Sequence, residues 1–224
     1  VEVIDRTGES CFMKPRNVLI GAGSIPFMPP IPGIDLPGVV TSDSMLELEE
    51  VPGRLVIIGG GVIGIEFAGI FSALGSTVDV VEFLPQILSG MDGDISKRLV
   101  PLLKKKGINI ETEARVTDIL KTDNGLTVVA AGKKGELRLE ADKVLISTGR
   151  AVNVQGLNLE AAGIEYDKKG IRVGENYQTS VPGIYAIGDV IGGQMLAHVA
   201  SEEGISAVED MAGLKHSVNY NAVP

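Results

Sequence analysis

The sequence predicts an α/β fold, a parallel sheet whose central βαβ unit is followed by a β-meander in place of a helical crossover. Three observations carry that prediction. The apolar, β-branched run Leu55–Ile58 enters Gly59-Gly-Gly-Val-Ile-Gly64, and a helix-compatible stretch continues to Phe71. A second strand pattern, Thr77 to Glu82, ends in an acid. From Ile108 to Ile146, short strand-like segments are broken at Asp123-Asn-Gly125 and Gly132-Lys-Lys-Gly135, which are hairpin turn sequences.

The glycines at 59, 61 and 64 have the G-x-G-x-x-G spacing. Gly59 permits the tight turn out of the strand, Gly61 lets a backbone approach a pyrophosphate, and Gly64 lets helix and strand pack closely. A helix starting there offers unpaired N–H groups and the positive end of its dipole to phosphates. Glu82 stands 18 residues after Gly64, where an acid can accept hydrogen bonds from the adenosine ribose. Such a carboxylate repels a 2′-phosphate, and no Arg follows at once to hold one, so the pattern selects NAD over NADP. The alternative is a glycine turn that only shapes the sheet. The strand before it, the helix after it and Glu82 weigh against that reading.

The remaining elements follow in order. Val1–Ile4 reads as a strand and Arg6-Thr-Gly-Glu9 as a turn. Asn17–Ile20 reads as a buried strand ending at Gly21-Ala-Gly-Ser24. The proline-rich run 26–37 excludes helix and central strand and reads as a linker. Ser42 or Ser44 is expected to cap a short helix over Met45–Glu50. The helix after the glycine loop is expected to stop at Gly75. Asp94 is expected to cap a helix to Lys106, with Lys104-Lys-Lys106 at its negative end and Pro101 disturbing its interior. Strand Lys143–Ser147 returns to the parallel sheet. Ile184–Ile187 is a buried strand ending at Gly188-Asp189, and a helix runs from about Leu196 to Met211.

Composition sets bounds. The 224 residues suffice for one large domain or two small ones, and 44% hydrophobic content supplies a core. A net charge of −9 disfavours nucleic acid and anionic membrane surfaces as partners. No apolar run reaches the roughly 20 residues of a membrane span. No secretory leader is visible and the single Cys excludes an internal disulfide, so the expected location is cytoplasmic. The chain starts inside what reads as a strand and closes on Asn219-Tyr-Asn-Ala-Val-Pro224 without a terminal element, which reads as a piece of a longer protein.

Four segments stand in one order: Leu19-Ile-Gly-Ala-Gly-Ser24, the glycine loop at 59–64, Ser147-Thr-Gly-Arg150, and Thr179-Ser-Val-Pro-Gly-Ile-Tyr-Ala-Ile-Gly-Asp189. This arrangement resembles the flavoprotein pyridine nucleotide–disulfide oxidoreductases. Gly156-Leu-Asn-Leu-Glu-Ala-Ala-Gly163 and Met195-Leu-Ala-His-Val-Ala-Ser-Glu-Glu-Gly204 resemble most the branch that oxidises dihydrolipoamide. The resemblance implies a Rossmann-like FAD/NAD-binding fold: residues 1–40 a partial FAD-domain segment and linker, 41–150 the NAD-binding domain, and 151–224 a central, FAD-side segment. It places Gly59, Gly61, Val62, Ile63, Gly64 and Glu66 around the NAD pyrophosphate and nicotinamide side. Glu82 falls on the ribose, Val116 on the adenine and Gly149 on the nicotinamide half. On the FAD side it places Ala22, Gly23 and Ser24 beside the cofactor, although Gly21-Ala22 stands where the family has Ala-Thr. Asp189, after Gly188, would accept from the ribityl chain, and Met195, Leu196, Ala197 and His198 would line the flavin ring.

Taken alone, Asp189 reads as an Asx turn or helix cap, and His198 as a core or surface histidine; neither is assigned acid–base chemistry. The family's chemistry uses a CxxxxC disulfide, which Cys11 alone cannot form, so Cys11 reads as structural and the chain holds no catalytic residue of its own. The resemblance also implies that the FAD-side glycine loop and a C-terminal interface domain, the chief dimer contact of the family, lie outside this chain. The whole protein would be a homodimer passing electrons from reduced lipoamide through disulfide and FAD to NAD, and the isolated chain a monomer, or a non-native association through exposed surfaces meant for the absent domains. Two other readings stay open: part of a related flavoprotein such as an NADH oxidase or ferredoxin reductase, or a non-catalytic nucleotide-binding module.

Overall fold

The computed structural model describes residues 1–215 and 217–223; His216 and Pro224 lie outside the described residues. In chain order the strands are β1 (Glu2–Ile4), β2 (Ser10–Phe12), β3 (Val18–Ile20), β4 (Ser24–Pro26), β5 (Val39–Thr41), β6 (Arg54–Ile58), β7 (Thr77–Val81) and β8 (Ile108–Glu111). They continue with β9 (Arg115–Thr122), β10 (Gly125–Gly132), β11 (Gly135–Ala141), β12 (Lys143–Ile146), β13 (Arg150–Val152), β14 (Tyr166–Asp167), β15 (Gly170–Ile171) and β16 (Ile184–Ala186). The α-helices are α1 (Ser42–Met45), α2 (Val62–Ala73), α3 (Gly93–Lys105) and α4 (Ala197–Met211). The chain divides into two compact units, one of residues 26–150 and one of residues 1–25 with 151–224.

The unit of residues 26–150 is built on a five-stranded parallel sheet in the order β5-β12-β6-β7-β8. Strand alternation separates its two faces. Leu55, Ile57, Val78, Val80, Ile108 and Leu145 pack on one face with Phe67, Phe71 and Leu103 of α2 and α3. Val56, Ile58, Val81, Val144 and Ile146 pack on the other with Val116, Leu126 and Val128. Those last residues belong to the antiparallel meander β9-β10-β11, closed by two-residue turns where the sequence puts them. The unit therefore has three layers, helices, parallel sheet and meander. The proline-rich run is not a free connector. Ile31, Ile34 and Leu36 pack on the meander side, and the Ile119 amide donates to the Pro32 carbonyl at 2.9 Å.

Several local expectations are corrected. Thr41, not Ser42 or Ser44, caps α1; Ser44 completes the capping box from the third helical position, so the helix begins earlier and is shorter. Asp92 caps α3 by accepting from the Asp94 amide, and Asp94 falls in the first turn. The helix continues through Pro101, which deprives the Lys97 carbonyl of its helical donor. Strand β5, against β12, was not anticipated, because three residues leave too little periodicity to read.

In the other unit, β3 and β16 run parallel, with Val18, Leu19 and Ile20 opposite Ile184, Tyr185 and Ala186. β3 is partly exposed rather than buried, because only one strand covers it. Leu159, Ile164, Ile171, Ala186 and Val190 form one cluster, and Tyr177, Tyr185 and Ala207 another beside α4. Hairpin β1–β2 is exposed along its length, and Cys11, read from the sequence as structural, is exposed with it. No helix among the described residues is long and apolar enough to cross a membrane.

Candidate functional site

The glycine loop lies where β6 delivers the chain to the carboxyl edge of the parallel sheet, and the three glycines have three different reasons. Gly59 has φ of 112°, and a Cβ there would stand 2.4 Å from the Ser147 carbonyl oxygen. At Gly64, a Cβ would stand 2.2 Å from the Gly59 carbonyl oxygen and 2.6 Å from Ser147 Oγ. Both glycines are demanded by the protein's own packing. Gly61 is not: its φ of −72° and ψ of −176° suit any residue, and a Cβ there would meet no atom of the described residues within 4 Å.

Gly61 is also the N-cap of α2. Among the described residues no side chain caps that end and no acid occupies its first turn, so the helix offers open amides and the positive end of its dipole. Ser147 at the end of β12 reinforces the loop by donating from Oγ to the Gly59 carbonyl at 3.0 Å.

Glu82, one residue past β7, is tied back to the loop. Its Oε2 accepts from the Gly60 amide at 2.6 Å and its Oε1 from the Leu84 amide at 2.7 Å. Its backbone is pinned on both sides, the N–H to the Glu111 carbonyl and the C=O to the Ala114 amide. The carboxylate is thus fixed before any ligand arrives, with lone pairs left over for further donors.

These groups line one cleft of about 960 Å³, within the roughly 300–1,000 Å³ of ligand sites. Of the sequence-expected residues, Gly59, Gly61, Val62, Ile63, Glu82, Val116 and Gly149 line it. Gly64 lies buried just behind the loop, and Glu66 is exposed on α2 and does not line the cleft, being one turn further along the helix. Sequence reasoning missed Pro29-Pro30-Ile31, Phe83-Leu84, Arg115 and Ser147 as lining residues. The first of these was hidden by reading its segment as a linker. Ser147 was legible only as the residue before Thr148-Gly149.

The remaining candidates belong to the other unit. Ser24 Oγ donates to Asp189 Oδ2 at 2.5 Å, joining two of the expected FAD-side positions across a long sequence interval. Ala22 and Gly23 present their carbonyls to the Asn153 side chain and amide at 3.1 and 3.0 Å. Gly188 takes φ of 71° and its amide donates to Glu203 Oε2 at 2.7 Å. Met195 and Leu196 lead into α4, whose first residues are Ala197 and His198; His198 is exposed and lines a shallow cavity with Glu202 and Val218. No cluster of His, Cys, Asp and Glu suited to a metal occurs among the described residues.

The sequence profile of the pyridine nucleotide-disulphide oxidoreductase family matches residues 3–204. A mitochondrial dihydrolipoyl dehydrogenase of Dictyostelium discoideum is 42% identical over 100% of this chain, which covers 47% of that protein. A dihydrolipoyl dehydrogenase of Bacillus subtilis is 43% identical over 96% of this chain and 46% of its own length. The HOCl-induced flavoprotein disulfide reductase RclA from Escherichia coli matches with a TM-score of 0.86 at 31% identity, over 96% of this chain and 48% of that one. The chain spans about half the length of these relatives. With most of its length matched in sequence and its fold shared with a flavoprotein disulfide reductase, the chain belongs to the pyridine nucleotide-disulphide oxidoreductase family.

Proposed function

We propose that the cleft of residues 26–150 binds NAD(H), and that the chain is the nicotinamide-nucleotide half, with part of the FAD side, of a dihydrolipoamide dehydrogenase. Gly61 carries the first part of this reading. Nothing among the described residues requires a glycine there, so the requirement comes from a ligand that the backbone meets closely. The pyrophosphate would lie against Gly59, Gly61, Val62, Ile63 and the packed Gly64, over the open end of α2. Glu82 would accept from the adenosine ribose, Val116 would lie against adenine, and Gly149 would meet the nicotinamide half. Glu66 would act only on the nicotinamide side, one turn along α2.

The flavin side would be built from Ala22, Gly23, Ser24, Gly188, Asp189 and Met195 to His198. Asp189 suits a ribityl hydroxyl, since Ser24 fixes one of its oxygens and leaves acceptor capacity on the carboxylate. Bound flavin supplies the hydride relay between dithiol and nicotinamide. This chain's own residues bind and orient the nucleotide and exclude water from its pyrophosphate. The relatives' name supports dihydrolipoamide as the electron donor of the whole protein. The dithiol step needs a cysteine pair, and the sequence has one Cys.

The test is a titration of the purified chain with NADH, followed by nucleotide fluorescence, and a visible spectrum after adding FAD and desalting. One NADH per chain supports the reading, and absence of NADH binding sinks it. A retained flavin band near 1:1 supports the FAD-side assignment; a colourless chain confines the function to NAD.

A further inference from the structure

Glu203 is a buried carboxylate that the nucleotide reading does not use. It lies on α4, is 4% exposed, and both of its oxygens are engaged. Oε2 accepts from the Gly188 amide at 2.7 Å, and Oε1 accepts from the Tyr220 hydroxyl at 2.7 Å. Tyr220 is in turn 2.9 Å from the Tyr177 hydroxyl. Because Tyr220 has one proton and gives it to Glu203, Tyr177 must be the donor in that second bond. Burial pushes the Tyr220 phenol well above its ordinary value, so it stays protonated and keeps donating.

The peptide that Glu203 grips is a constrained one. Gly188 is left-handed at φ of 71°, is buried, and a Cβ there would stand 3.1 Å from Ala200 Cβ. The next residue is Asp189, in the first turn of the 3₁₀ segment Gly188–Ile191. That hydrogen bond from the Gly188 amide to Glu203 therefore fixes the Ile187–Gly188 peptide, on which the left-handed Gly188 turn into Asp189 is built, while Ser24 holds the Asp189 carboxylate itself. Through Tyr220, the same carboxylate also ties down the 3₁₀ turn Tyr220–Ala222 near the C-terminal end of the described chain.

We propose that Glu203 is a positioning residue: it locks the turn at Gly188 that leads into Asp189 and couples it, through Tyr220, to the segment around 219–223, which Tyr177 holds from the other side, so that ordering of that segment sets the affinity of the Asp189 site. The part of the proposal that concerns flavin rests on the FAD-side reading above; the tether itself does not.

The experiment compares the unsubstituted chain with Glu203→Gln, Glu203→Leu and Tyr220→Phe. Hydrogen exchange by mass spectrometry on peptides covering 187–191 and 219–223, without cofactor, reads the tether. Titration with FAD, followed by flavin fluorescence, reads the site. Removing a hydrogen bond to a charged group corresponds to about tenfold or more in an equilibrium constant. Exchange at 187–191 is therefore expected to quicken about tenfold in Glu203→Leu. It should quicken less in Glu203→Gln, whose one remaining acceptor can still face Gly188. Tyr220→Phe, which leaves the carboxylate and the fold in place, is expected to quicken 219–223 and, to a smaller degree, 187–191. FAD affinity should fall in the same order. Unchanged exchange at 187–191 in both Glu203→Leu and Tyr220→Phe overturns the tether. Faster exchange with undiminished FAD affinity overturns the positioning role. Failure of the unsubstituted chain to bind FAD, with the exchange order intact, overturns the FAD-side reading and leaves the tether standing.

Discussion

Replacing Gly61 and Gly64 by alanine separates a glycine required by a ligand from one required by the protein. At Gly61 the added methyl meets no atom of the described residues within 4 Å and the backbone angles are ordinary. Alanine is a poorer N-cap than glycine by about 0.5–1 kcal/mol, but it also reduces unfolded-chain entropy by about 0.4–1 kcal/mol. The two terms oppose each other, so the stability of Gly61→Ala should stay within about 1 kcal/mol of the unsubstituted chain, roughly 4 °C in Tm or less. At Gly64 the methyl would lie 2.2 Å from the Gly59 carbonyl oxygen and 2.6 Å from Ser147 Oγ, which are hydrogen-bonded to each other. Overpacking of that kind costs about 3 kcal/mol or more, or roughly 10 °C. Binding should show the other order. A methyl at 61 holds the pyrophosphate off the loop, and one lost bond to a charged oxygen costs about 1.5–3 kcal/mol, roughly tenfold to 150-fold in Kd. Thermal melts by circular dichroism and NADH titration measure both quantities. A Gly61→Ala chain that melts normally and binds NADH with undiminished affinity would refute the close approach on which the site depends.

Other consequences are open to measurement. Glu82→Ser removes the acceptor for the ribose and releases the Gly60 and Leu84 amides; NADH affinity should fall about tenfold while NADPH affinity holds or rises, and competition titrations would contradict this if the preference for NADH is unmoved. Gly33→Ala forces a Cβ to within 1.9 Å of the Ile119 carbonyl oxygen at a φ of 82°. It should lower stability by about 2 kcal/mol or more and weaken NADH binding as well, since Pro29, Pro30 and Ile31 line the cleft. Arg54 donates to Asp142 at 2.7 and 3.1 Å, and that bonding holds the Asp142 carboxyl below its ordinary value. A lowered carboxylate contributes stability that is present above its unfolded value, about 3.9, and is lost as pH falls through the lower folded value. Arg54→Met should therefore be less stable than the unsubstituted chain at pH 7, with the gap closing below about pH 4; a gap that persists to pH 2 in denaturant titrations would contradict the assignment.

The βαβ unit and the meander were legible because their signals are periodic and long. Leu55–Ile58 is a continuous apolar strand, Thr77–Glu82 is rich in β-branched residues, and the turns at 123–125 and 132–135 have residue types that few other conformations favour. Helix ends were less so. Asp92 and Asp94 both can cap, as can Thr41, Ser42 and Ser44, and the choice depends on where the preceding loop leaves the sheet. The packing of 26–38 on the meander was hidden because proline content states what a segment cannot form, not what it covers. In the cleft, residues from the glycine loop, the end of β7, β9 and the end of β12 meet only because the sheet order β12-β6-β7-β8 gathers them. That order is a tertiary fact. The Glu203–Tyr220–Tyr177 chain has no local signature at all, since its partners are far apart in the sequence.

The most direct test of the account is an amide NMR titration of the labelled chain with NAD. It predicts saturable shifts at Gly59 to Ile63, Glu82, Val116 and Gly149, approaching one NAD per chain. Shifts confined to the neighbourhood of Asp189 and His198, or none anywhere in residues 26–150, would contradict it.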